Sequence, residues 1–219
     1  VYDVFFLSYD ESYATAHWNN LKGKHLLARH VSGICGIHAA HRHCADISRT
    51  SHFFVVDSDN EVTDPSVFRI KLPVWDRDYV HLWNARNPVN GLVYGWGGIK
   101  LFPKAVFDDM TDRLDMTTSF PLKLMDHTAS ITHFNATPEA TWRSAFRECV
   151  KLSQSQESDA QVRMEVWCTT AKGVFAEHCL RGAQEGRDYG IANLGDQDAL
   201  MRINDYRWLT ERFVDSRFI

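Results

Sequence analysis

The stretch His52-Phe53-Phe54-Val55-Val56-Asp57-Ser58-Asp59-Asn60 sets an Asp-x-Asp pair directly behind four apolar residues, two of them β-branched. Carboxylates at that spacing offer hard oxygen ligands for Mg²⁺ or Mn²⁺, and such a cation can in turn hold the phosphates of a nucleotide. The apolar run reads as a buried strand. In open α/β sheets ligands collect at the carboxyl ends of strands, which is where these acids emerge. The competing reading is an acidic turn that merely ends a strand, and the tripeptide alone does not separate the two.

Three further segments carry residues capable of chemistry. Ser8-Tyr9-Asp10-Glu11-Ser12 is a polar loop in which Tyr9 can stack on a nucleotide base while Asp10 accepts a hydrogen bond from it; acids that cap the next helix are the alternative. Asn87 to Pro103 contains Gly91, Gly95, Gly97 and Gly98 near Tyr94 and Trp96, so a backbone can approach a ligand while flat side chains face a sugar or base. The run Ser130-Ile131-Thr132-His133-Phe134-Asn135 is apolar and β-branched and ends in a histidine and an asparagine. His38, near the start of a helix, suits a phosphate or ribose contact or ordinary packing. Cys35, His38, His41, His43 and Cys44 do not make a zinc site, because the last three ligands cannot point one way on a helix and no second ligand pair follows at a suitable distance.

The elements that must position these groups read as follows. Val1 to Leu7 is a first strand, Tyr13 to Leu21 a short helix, Lys24 to Val31 a second strand, and a helix opens at Gly33-Ile34-Cys35-Gly36 and runs through Ser48. After the acidic strand, Asp64-Pro65-Ser66 marks a turn, Phe68 to Leu72 and Tyr79 to Trp83 read as strands, and Ile99 to Phe102 follows the glycines. Lys104 to Met110 reads as a short helix, and a polar stretch containing Asp112 and Asp115 comes next. Thr141 to Leu152 is an amphipathic helix with Phe146, Cys149 and Val150 inward, Gln154 to Asp159 a linker, and the remainder mostly helical.

The chain has 219 residues, enough for one α/β domain with a substantial core and a helical part from about residue 150. A hydrophobic fraction of 44% and an aromatic fraction of 12% fit a globular protein and exclude a disordered one. No apolar run reaches the roughly 18 residues that cross a bilayer, and Val1 to Leu7 lacks a basic leader pattern. Five irregularly spaced cysteines suggest reduced thiols and a cytoplasmic setting. A net charge of −4 gives no global case for nucleic-acid binding, so any such contact needs a local patch; Arg143, Arg147 and Lys151 on one helix stripe, with Arg86 and Lys100, are the candidates, and a solvated face is the alternative.

Taken in order, Phe53-Phe54-Val55-Val56-Asp57-Ser58-Asp59, Gly97-Gly98-Ile99-Lys100-Leu101-Phe102-Pro103 and Ile131-Thr132-His133-Phe134-Asn135 resemble the metal-dependent glycosyltransferases of the GT-A type. The likeness is to procollagen-glycosyltransferase-like domains and phage-encoded relatives, and it covers residues 1 to about 150. It implies a Rossmann-like mixed sheet flanked by helices, and a hexose moved from a UDP-sugar to a hydroxyl. It implies Mn²⁺ or Mg²⁺ on Asp57, Asp59 and His133, and a donor bound at Asp57, Gly97 and Gly98, to which the reading of the residues themselves adds Ser8, Tyr9, Asp10 and His38. Asp112 and Asp115 become the candidates for handling the donor sugar or for catalysis. The phage kinship points to a hydroxymethylated pyrimidine in DNA as acceptor and to a host cytoplasm, with a protein or glycan hydroxyl, or a non-catalytic module of the same fold, as alternatives. A departure stands at Phe134, where these enzymes usually carry glycine after the histidine.

Overall fold

A computed structural model describes residues 1–9, 11–95, 98–107 and 120–215. The chain divides into two compact units, one of Val1–Pro88 with Val93–His133 and one of Val89–Leu92 with Phe134–Ile219. Among the described residues no helix is long and apolar enough to cross a membrane.

The first unit is an α/β layer structure of Rossmann-like type. Its strands are β1 (Asp3–Ser8), β2 (Arg29–Ser32), β3 (His52–Asp57), β4 (Asn60–Val62), β5 (Val80–Arg86), β6 (Val93–Tyr94), β7 (Ile99–Pro103) and β8 (Leu122–Thr132). They form one mixed sheet in the order β2-β1-β3-β7-β5-β8-β4, with β6 on β5. β1 is parallel to β2 and β3, β7 is antiparallel to β3 and β5, β8 is parallel to β5, and β4 is antiparallel to β8.

Helices α1 (Ala14–Lys24) and α2 (Ile37–Ile47) cover opposite faces of this sheet. The two-residue periodicity of the strands explains it: Val4, Phe6, Phe54 and Val56 join Leu21 of α1 in one core, whereas Phe5, Phe53 and Val55 join Cys44 and Ala45 of α2 in the other. A strand buried on both sides has no room for polar alternation, hence the unbroken apolar run before Asp57. The chain moves from β1 outward to β2, then back across β1 to β3. Asp57 therefore ends β3 beside the point where the direction of winding reverses.

A second constraint comes from chain length. Asp57 and Asn60 are three Cα steps apart, at most about 11 Å, yet β4 lies four strand spacings from β3 along the sheet, about 19 Å if the sheet were flat. The sheet must therefore curl until the mouths of β8 and β4 stand beside the end of β3. Ser58 and Asp59 bridge that curl.

The sequence reading needs adjusting in four places. Phe68 to Leu72 is not a strand: Asp64 accepts a hydrogen bond from the Ser66 amide, Pro65 opens a 3₁₀ turn over Pro65–Arg69, and Val67 and Phe68 enter the core from that turn. α1 extends to Lys24, which shortens the second strand to Arg29–Ser32. α2 starts only at Ile37, because Gly33 and Gly36 adopt φ of 75° and 95°, outside helical backbone. The helix expected over Lys104 to Met110 is a 3₁₀ turn over Lys104–Phe107, with the rest outside the described residues.

The second unit is helical, with α3 (Pro138–Gln154), α4 (Ala160–Thr169), α5 (Ala176–Ala192), α6 (Gln197–Met201) and α7 (Tyr206–Asp215). Thr137 caps α3 by accepting from the Ala140 amide, and Pro138 takes the first helical position, where its missing N–H costs nothing. Two residues of the basic stripe of α3 make contacts within this unit. The Arg143 and Arg147 guanidinium groups lie over the Tyr206 ring at 4.4 and 5.3 Å, and Arg147 also donates to the Ile203 carbonyl and to Asn204.

Candidate functional site

The bridge from β3 to β4 is tied residue by residue to different elements. The Asp57 amide donates to the Gly98 carbonyl at 3.0 Å, the Ser58 amide to Leu7 at 3.0 Å, and the His133 amide to the Asp59 carbonyl at 2.6 Å. The Ser58 carbonyl accepts from His17 Nδ1 at 2.7 Å. β1, β7, β8 and α1 thus all fix the backbone that carries the two acids. A site held on rigid elements in this way keeps its geometry without a ligand.

Asn60 orients Asp59. Its side chain is buried; Nδ2 donates to Asp59 Oδ1 at 2.6 Å, while Oδ1 accepts from Ser130 Oγ at 2.9 Å and Thr132 Oγ1 at 2.8 Å. Gly98 makes room for this amide, since a Cβ there would fall 2.0 Å from Asn60 Oδ1. Gly98 is thereby a packing requirement of the acid bridge. Gly98→Ala is expected to displace an amide that Asp59, Ser130 and Thr132 hold and to cost about 1–3 kcal/mol in broken buried hydrogen bonds. A melting curve reads that loss, and an unchanged melting temperature would remove Asn60 from this role.

The two acids differ in surroundings. Asp57 accepts from Lys100 Nζ at 2.7 Å, and the Lys100 side chain is 4% exposed against 34% for Asp57. Burial pushes the Asp59 carboxyl up to about 7, and the negative charge of Asp57 adds to the rise; Lys100 and the Asn60 amide pull the other way. The site thus presents two acids one residue apart, with one buried ammonium on Asp57; carboxylate oxygens are the donor type that hard divalent cations take.

The other expected residues are placed as follows. Ser8 is buried at the end of β1, with its hydroxyl 2.7 Å from His30 Nε2, and Tyr9 beside it is exposed. His38 lies in the first turn of α2, whose start carries no side-chain cap. His133 follows β8 directly; its Nε2 is 3.0 Å from Glu61 Oε2, and its ring packs on His17 at 5.1 Å. Asp57, Asp59, Gly98 and the His133 backbone are brought together. The His133 imidazole is directed to Glu61, and among the described residues no group of three His, Cys, Asp or Glu is arranged to hold a metal ion. Asp10, Gly97, Asp112 and Asp115 lie outside the described residues. Lys100, read from sequence as a nucleic-acid contact, is instead buried against Asp57.

Asn60, Lys100 and the His17–Glu61 pair around His133 are the residues that sequence reasoning missed. Lys100 had a signal: one charge inside Ile99-Lys100-Leu101-Phe102 must find a counter-ion.

Fold and site define an α/β protein with a Rossmann-like curled sheet and a carboxylate pair at its carboxyl edge. No protein-family model matches the chain, and no curated protein matches it. Among solved structures it is similar to the crystal structure of a glycosyltransferase involved in the glycosylation of the major capsid of PBCV-1, at 14% identity and a TM-score of 0.38, over 63% of this chain and 98% of that one. A likeness of that size transfers no activity.

Proposed function

We propose that the protein is a glycosyltransferase of the GT-A type that moves a hexose from a UDP-sugar to a hydroxyl acceptor. The observation that carries this reading is the Asp57–Asp59 bridge, in which a half-buried carboxyl with a raised pKa beside a second acid would gain from a cation. Asp57 and Asp59 would hold Mn²⁺ or Mg²⁺ together with the donor's diphosphate. When bound, the cation supplies charge neutralisation on the departing UDP. The chain's own residues would bind and orient: exposed Tyr9 would offer a face to the base, and the first turn of α2, with His38, would supply amides to the phosphates. Asn60 holds Asp59 in place. An acid such as Asp115 or Asp112 would take the proton of the acceptor hydroxyl in an inverting reaction or orient the sugar in a retaining one.

The acceptor we favour is a hydroxyl on a protein or glycan. A net charge of −4 gives DNA no global attraction, and the Arg143 and Arg147 side chains already contact Tyr206, Ile203 and Asn204. Hydroxymethylated DNA remains an arm of the test.

The test is release of UDP from UDP-glucose and UDP-galactose with Mn²⁺, first without acceptor and then with peptide, saccharide or hydroxymethylated DNA. Slow release that EDTA stops, accelerated by one acceptor class, is the expected result. The Lys100 ammonium on Asp57 favours a second reading, a module that binds a nucleotide or glycan without turnover. Calorimetric UDP binding with no release under any condition selects that module, and neither binding nor release removes both.

A further inference from the structure

All five residues of β7 are buried, Lys100 among them. Its Cα lies opposite Val55 of β3 and Leu82 of β5, and Lys100 shares a sheet face with Phe102, two residues on. The ammonium reaches along that face to Asp57. Taking an ammonium out of water is expensive unless it is paired, so this contact belongs to the ligand-free protein.

His41 of α2 stands on the same face. It is fully buried, with its ring edge-on to Phe102 at 5.4 Å. Its Nδ1 lies 2.8 Å from the Ile37 carbonyl, and a carbonyl only accepts, so Nδ1 carries the proton and donates. Nε2 is then a bare acceptor. It is buried, and no described residue donates to it. Burial holds the His41 pKa down to about 3, with the positive charge of Lys100 the next cause, so the ring is neutral. A buried acceptor without a donor is a cost that native structures rarely keep without a use.

A divalent cation on Asp57 would sit beside an ammonium already on the same carboxylate, and like charges at such separations repel strongly in a partly buried site. We infer that Lys100 is a resident counter-ion which the cation displaces from Asp57, and that His41 Nε2 is the acceptor that receives the displaced ammonium. The inference rests on the reading of Asp57 and Asp59 as cation ligands. It deepens that reading by giving the site a built-in competitor. A flexible four-carbon stem with three donors suits such a move, and the apolar neighbours Val55, Leu82 and Phe102 offer the ammonium nothing else. The cation alone is then held weakly, and the donor diphosphate must supply the remainder.

The experiment is titration of the full chain with Mn²⁺ alone, read by calorimetry and by the spin-resonance signal of free Mn²⁺. Lys100→Met is expected to tighten Mn²⁺ binding by about tenfold or more, since it removes a positive charge from the ligand carboxylate. Lys100→Gln, which keeps a donor for Asp57 without the charge, is expected to do the same and covers the case in which Lys100→Met folds poorly. His41→Leu is expected to weaken Mn²⁺ binding several-fold in the parent and to leave it unchanged in the Lys100→Met background, because only a displaced ammonium needs the acceptor. Equal or weaker Mn²⁺ binding in both Lys100 variants, with binding still lost in Asp59→Asn, overturns the inference and leaves the cation site standing. An equal effect of His41→Leu in both backgrounds overturns the role of His41. No Mn²⁺ binding in the parent or in either Lys100 variant overturns the cation site and the inference together.

Discussion

Asp59→Asn is expected to abolish cation-dependent UDP binding and, at the same time, to raise the melting temperature. The two effects have one origin. In the folded chain the Asp59 carboxyl is held at about 7 by burial and by Asp57, against an ordinary 3.8. The folded state therefore binds its proton more tightly than the unfolded state does. Between about pH 4 and 7 stability falls as pH rises, and above 7 the loss is complete. Asparagine keeps the shape and ionises at no pH, so the gain over the parent should be small near pH 4 and largest at pH 8. Asp57→Asn is expected to lose the same binding but in the opposite stability direction, because it strips the buried Lys100 ammonium of its carboxylate. About 1–3 kcal/mol is expected, less than for a fully buried pair because a third of the Asp57 side chain meets water. Melting curves at pH 4, 6 and 8, with UDP and Mn²⁺ calorimetry, read both effects. Retained Mn²⁺-dependent UDP affinity in either variant would dismiss the acids as ligands, and an Asp59→Asn gain independent of pH would dismiss the buried-acid argument.

Opposed stability effects from two acids one residue apart could not have been read from Asp-x-Asp alone. What the sequence does announce is burial: His52–Asp57 lies where the apolar run Phe53 to Val56 placed it, Ile99–Pro103 lies where a run broken only by Lys100 did, and α3 lies where its periodicity did. Those signals are local. β4 is only three residues long and gains its identity by pairing Asn60 with Thr132, a partner that no window around position 60 contains. The same distance hides the function of Asn60, whose acceptors and donors come from β8 and from the preceding residue. Phe68 to Leu72 shows the reverse failure. Its apolar residues satisfy a strand pattern, yet an Asp-Pro-Ser turn captures the backbone first and the side chains reach the core without a strand. His133 lay in the expected place, and the direction of its ring depends on Glu61, whose side chain comes from another strand.

Gly186→Ala is expected to be the most destabilising single-methyl substitution in the helical unit. Gly182, Gly186 and Gly190 are spaced four apart on α5 and face α3. A Cβ at Gly182 would meet the Trp142 carbonyl oxygen at 2.3 Å, and one at Gly186 the Phe146 carbonyl oxygen at 2.2 Å. These obstacles are backbone atoms inside a helix, so no side chain can turn aside; α3 and α5 must separate. Trp142 and Phe146 flank the contact and are fully buried, so separation loosens the largest rings of this core. Overpacking of this kind costs about 1–3 kcal/mol and occasionally more, against about 1 kcal/mol that alanine returns through helix propensity. With the obstacle in the backbone, a net loss of about 2 kcal/mol or more is expected, or a fall of roughly 4–8 °C for a chain of this size. Gly23 is the control, since it lies inside α1 with nothing within 4 Å of its would-be Cβ. Gly23→Ala should therefore gain up to about 1 kcal/mol by propensity alone. Thermal unfolding followed by circular dichroism compares the two directly. If Gly186→Ala melts with or above the parent while Gly23→Ala gains as expected, then α3 and α5 do not approach at their backbones, and the glycine spacing on α5 has another cause.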